Sequence, residues 1–228
     1  MIFKKKYKIF LFAILPIILL SIIAFNQYKD KIMYEKYISQ NVSADMHRLV
    51  RAIIKSDEIY VDILDKKSMT RGDADELKIY SYVLLEVPQD YGGLALVFNR
   101  RGKREFKNKT AGVAQKMGSF FFQMNEDVDV VDGKNIDEKL FDLNSEKEAI
   151  ISRLKELNDL WVKSVLKNVV GVTEHNGKLQ FDTRKFQKHY GDNSLTDDFW
   201  VDLVMDLDKN TRDFLTKHQL TTENILTK

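Results

Sequence analysis

The chain has 228 residues, 44% of them hydrophobic and 31% charged, with only 2 Pro and 10 Gly, a composition that excludes disorder and favours helices around one core. It contains no Cys, which excludes disulfides and an acylated lipoprotein and leaves stability to packing. Lys and Arg number 36 against 34 Asp and Glu, but Lys4, Lys5, Lys6 and Lys8 belong to the N-terminal tail; without them the balance is 32 to 34, so attraction to nucleic acid is not expected.

Residues 1–8 form the basic tail, and residues 9–25 run on for 17 positions without a charge. As a helix this stretch is roughly 26 Å long, near the thickness of a bilayer core. The positive-inside bias would hold the tail in the cytoplasm and export everything after Phe25. Pro16 is tolerated in a membrane helix whose neighbours satisfy the freed carbonyl. A cleaved signal peptide is the competing reading, but it needs a shorter apolar region and a small-x-small cleavage site, and Ser21 and Ala24 are not spaced that way. The expectation is an uncleaved single-pass anchor at 9–25, a helical stalk at 26–42 and an exported domain at 43–228.

Within that domain Met46, Leu49, Val50, Ile53, Ile54, Tyr60, Val61, Ile63 and Leu64 recur at helical spacing and predict a core-facing helix that ends near Lys67. Asp73 with Glu76 reads as a capping box opening a second helix, which Pro88 and Gly92-Gly93 should end. Residues 94–98 fit a short strand or a buried helical turn equally well. Phe106, Thr110, Val113, Met117, Phe120, Phe121 and Met124 mark a third helix. Ser145 with Glu148 opens a fourth, and its stripe of Ile150, Ile151, Leu154, Leu157, Trp161 and Val165 is the clearest in the chain. Asn176-Gly177 between apolar runs predicts a β-hairpin near 172–181, because such a turn needs φ > 0 at both central residues. A short helix follows at 183–190, then a helix capped by Thr196 and carrying Phe199, Trp200, Leu203, Val204, Leu207, Phe214 and Leu215, then one frayed turn at 221–228. The fold expected is an all-α bundle of about five helices with one small hairpin.

Chemistry-bearing motifs are few. The four histidines His47, His175, His189 and His218 are scattered, and none forms the i, i+4 pair that brings two imidazoles together around zinc. An EF-hand loop starting at Asp127 has Asp132 where Gly is required, and one starting at Asp206 has Thr211 there and Lys217 in place of the closing Glu. Asp127, Asp129 and Asp132 could still gather a cation, against the plainer reading of a solvated acidic loop. No nucleophile elbow, P-loop or dinucleotide fingerprint is present. Arg71-Gly72-Asp73 spells an adhesive tripeptide that chance also produces. No cofactor or metal is expected.

One feature stands out. Arg100, Arg101, Lys103, Arg104, Lys107 and Lys109 crowd the N-terminal side of the third helix, and Glu126, Asp127, Asp129 and Asp132 crowd its C-terminal side, both against the helix macrodipole. Either these are loops screened by salt, or the cations meet something outside the helix: a partner, anionic headgroups or another copy. The function expected is that of a non-enzymatic interaction, scaffold or accessory protein of a bacterial envelope, anchored in the membrane with its domain outside the cytoplasm. The alternative is a tethered hydrolase acting on an envelope polymer, with its site among scattered acids and histidines. Its mark would be a deep pocket of converging polar groups with shifted pKa values.

Overall fold

The computed structural model describes residues 2–126 and 139–227, with side chains from 14 to 124 and from 139 to 227. In chain order these form α1 (Ile2–Lys66), β1 (Ser68–Thr70), α2 (Arg71–Val97), α3 (Lys109–Glu126), β2 (Lys139–Asp142), α4 (Ser145–Asn168), β3 (Val172–His175), β4 (Lys178–Phe181), α5 (Thr183–Tyr190) and α6 (Phe199–Lys217). The architecture is mostly helical with small antiparallel β pairs, and the described helices number six rather than five, the short α5 included.

α1 is 65 residues long, and the expected boundary near residue 42 is no break in it. No Pro or Gly occurs between residues 26 and 66, so nothing interrupts the backbone ladder. What changes there is burial. Tyr28, Met33 and Tyr37 are exposed, whereas Val42, Met46, Leu49, Val50 and Ile53 are buried in the core. Val61, placed on the apolar stripe by its spacing, is instead 42% exposed. Among the described residues no helix is long and apolar enough to cross a membrane; the stretch read as a span starts at residue 9, and the side chains of residues 1–13 lie outside the described ones.

α2 departs most from its sequence reading. Its N-cap is Thr70, whose hydroxyl accepts from the Asp73 N–H at 3.2 Å while the Asp73 carboxylate accepts from the Thr70 N–H at 2.8 Å. Asp73 therefore occupies the third helical position of the capping box rather than the cap. The earlier start is set by β1, where buried Met69 pairs with Phe141 of β2 and delivers the chain at Thr70. α2 then passes through Pro88 and Gly92-Gly93 to Val97, so residues 94–98 continue the helix and form no strand. The Phe106 ring rests on Gly92: a Cβ there would lie 2.1 Å from the ring. Gly92 is thus a close-approach residue, and packing holds helical a segment that propensity would end.

The later elements keep closer to expectation. α4 is capped by Asn144, one residue before Ser145, through the Lys147 N–H at 2.8 Å. Its predicted stripe is buried throughout, with Trp161 at its centre. β3 and β4 pair from Val172↔Phe181 to His175↔Lys178 around Asn176 (φ 51) and Gly177 (φ 72), as the hairpin signal predicts. α6 begins at Phe199, and Thr196 does not cap it, because its hydroxyl donates to the Asn193 carbonyl at 3.0 Å. The C-terminal residues are more than a frayed turn. Ile225 is fully buried, and Arg153 donates to the carbonyls of Ile225 and Thr227, both at 2.7 Å. One apolar core joins α1, α2, α3, α4 and α6, with α5 sealing one side through Phe186 and Tyr190.

Candidate functional site

The six nominated cations lie on the loop joining α2 to α3 and on the first residue of α3. The loop turns through left-handed Asn99 (φ 53), Gly102 (φ 60) and Asn108 (φ 54) and so lies back against α6. Arg100 donates to the carbonyls of Leu195 and Thr196 and to the Asp198 carboxylate at 2.6 Å, with its guanidinium 5.4 Å from the Trp200 ring centre. Arg104 pairs with Asp202. Lys107 pairs with Glu105 at 3.1 Å, and the Lys109 ammonium reaches the Thr222 hydroxyl at 3.4 Å.

Beneath them sits the fully buried carboxylate of Asp208. It accepts from the backbone N–H of Lys107 at 3.0 Å and of Lys109 at 2.6 Å, and from Arg212 at 3.1 Å. A buried anion at the start of α3 supplies the charge that the helix dipole favours. Of the six cations, Arg100 and Arg104 are thus answered by Asp198 and Asp202 at the start of α6. Arg101 and Lys103 differ. Their side chains have no partner among the described residues, and they lie three and five residues beyond Phe98, which with Leu96 and Val97 is exposed. Asp127, Asp129 and Asp132 lie outside the described residues, as does the side chain of Glu126.

A second candidate arises only from the tertiary fold. α1 and the β3–β4 hairpin enclose a cleft of about 280 Å³ lined by His47, Arg51, Lys55, Glu58, Phe181 and Thr183. A neighbouring cleft of about 580 Å³ shares Glu58 and Leu179 with it and continues past Val61 and Asp62 to Asp65. One end of this groove is basic and the other acidic. His47 shares a hydrogen bond with the Thr183 hydroxyl at 3.2 Å and lies 5.0 Å from the Phe181 ring. Burial, assisted by nearby Arg51, holds its pKa below the ordinary value of 6.5, so the neutral imidazole is favoured. Lys55 and Glu58 form an ion pair on the same wall. No described carboxylate bonds to His47, so the His47–Thr183 pair lacks the third group that orients the base in a hydroxyl-nucleophile site. In the sequence His47 is one of four scattered histidines; the apolar residues of the hairpin strand are the sole hint that a wall would form opposite it.

The remaining histidines are apart. His175 is exposed beside the hairpin turn, His189 packs edge-on against Tyr190, and His218 meets Glu156 at 3.1 Å. Among the described residues no group of three or more His, Asp or Glu is placed to hold a metal ion. Arg71 is buried and Asp73 is tied into the capping box, so the Arg-Gly-Asp tripeptide is not presented at the surface. Compared with protein-family models, with curated proteins and with solved structures, the chain matches none of them.

Proposed function

We propose that the chain is a membrane-anchored, extracytoplasmic protein of a bacterial envelope that acts without catalysis, as an interaction, scaffold or accessory subunit. The observation that carries this reading is the condition of α1 ahead of the domain. Leu15, Leu20 and Phe25 are 62%, 65% and 67% exposed on successive turns of an apolar helix. Covering one such side chain is worth about 1.5–3 kcal/mol, and a helix apolar on every face calls for apolar surroundings. A bilayer suits both the length of the stretch and its lysine-rich flank. The domain then meets a protein partner or a further copy of the chain at the membrane surface, where the tether raises local concentration.

The reading is tested by topology. Alkaline phosphatase fused after Phe25 should be active, and the full chain should stay in the membrane pellet through an alkaline carbonate wash. Release of intact chain into the supernatant, or an inactive fusion, overturns it.

A further inference from the structure

The end of α2 turns back toward the point where α1 leaves the domain. The two helices run antiparallel: the Tyr91 hydroxyl donates to Asp45 at 2.9 Å, and Arg48 lies 3.8 Å from Glu86. Seven residues beyond Tyr91, Phe98 therefore comes level with Ile38. The next loop agrees, since Arg100 donates to the Leu195 carbonyl and the Leu195 N–H donates to the Ser39 hydroxyl at 3.1 Å. At this end Leu96, Val97 and Phe98 are 55%, 77% and 43% exposed. Large apolar side chains at a helix terminus, followed by unpaired cations, are the chemistry of a surface that enters a lipid headgroup layer.

We infer that this tip is a second contact with the bilayer that holds α1: Leu96, Val97 and Phe98 enter the headgroup region while Arg101 and Lys103 meet anionic lipid phosphates. The inference rests on the anchored topology proposed above and adds an orientation to it. Along α1 the tip stands about 20 Å beyond Phe25. Because α2 lies about 8–10 Å to the side of α1, a tilt of about 30–40° toward α2 lowers the tip toward the membrane; the apolar stretch then spans about 20–23 Å, which local thinning of the bilayer accommodates. The headgroup layer is roughly 5–7 Å deep, and the long side chains span the remaining gap. Arg100 and Arg104 do not share this role, since they are engaged by Asp198 and Asp202.

The absence of Cys makes single-site labelling clean. Full-length chains carrying Val97→Cys, Ile18→Cys or Lys178→Cys, each labelled with a polarity-sensitive fluorophore, are reconstituted into vesicles containing phosphatidylglycerol or phosphatidylcholine alone. The Val97 label should shift to the blue and resist an aqueous quencher in phosphatidylglycerol vesicles, while the Lys178 label on the hairpin stays in water. Adding Arg101→Glu with Lys103→Glu should return the Val97 label to water. Each cation near an anionic surface contributes about 1 kcal/mol, so losing the pair alone should lower the docking equilibrium constant roughly thirtyfold, and reversing both charges should lower it further. If the Ile18 label is lipid-protected but the Val97 label stays in water, the tip contact is wrong and the anchor stands. If the Ile18 label is itself in water, both fall. Protection of the Val97 label that ignores lipid charge and accompanies crosslinking between chains makes the tip a protein contact and overturns the inference.

Discussion

At the scale of single residues, the fold is decided by side chains whose partners lie far away in the sequence. Gly92 is a turn signal when read locally and a flat seat for Phe106 in the folded chain. His47 is a histidine on the flank of an apolar stripe until Phe181 and Phe186 close over it. Its lowered pKa has a consequence for stability. The unfolded chain takes up a proton as pH falls through about 6.5, and the folded chain resists doing so. The contribution of this site is therefore complete above 6.5 and is lost on acidification toward the lower folded value. Urea melts between about pH 7.5 and about pH 5.5 should lose stability more steeply for the natural chain than for His47→Gln. Equal slopes would show that His47 titrates as if in water.

At the scale of elements, the loop from α2 to α3 and the helix α6 are complementary charge patterns. Asp198, Asp202 and Asp208 face Arg100, Arg104 and the first N–H of α3. Their contributions differ with burial. The Arg104–Asp202 pair is exposed to solvent on both sides and should contribute under about 1 kcal/mol. Asp208 is fully buried and holds two backbone donors and Arg212, and breaking such a set costs about 3–5 kcal/mol. Asp208→Asn should accordingly lower the unfolding free energy several times more than Asp202→Asn in denaturant melts. Equal small effects would mean that α3 does not depend on the borrowed carboxylate.

At the scale of the whole molecule, a single core joins all six described helices, so damage at its centre should be felt everywhere. Trp161 sits there: its indole N–H donates to the Thr211 hydroxyl at 2.9 Å, and that hydroxyl also meets Thr110 at 3.1 Å, linking α4, α6 and α3. Trp161→Ala should cost about 3–5 kcal/mol. Trp200 fluorescence and far-ultraviolet circular dichroism should report the loss at one shared midpoint, as a cooperative domain requires. Separate midpoints would divide the core into independent units. The exposed part of α1 ahead of Ile38 makes few contacts with this core, which leaves it available to the bilayer role proposed for it.

The sequence by itself determined the elements whose signals are local. The domain part of α1, α4 and α6 follow from apolar residues three and four apart, and the β3–β4 hairpin follows from Asn176-Gly177, because helix faces and tight turns are built from near neighbours. Cap positions were legible to within about three residues, since several Ser, Thr, Asp and Asn side chains can cap and the entry path of the chain selects among them. The tertiary structure alone decided the rest. β1 pairs with β2 across some seventy residues, α2 survives Pro88 because its neighbours hold it, and Asp208 reaches Lys109 across 99 positions. The groove between His47 and Phe181 likewise exists only once the hairpin lies on α1. Such features depend on which distant surfaces meet, and that is set by the summed burial of the whole core, which no local period records.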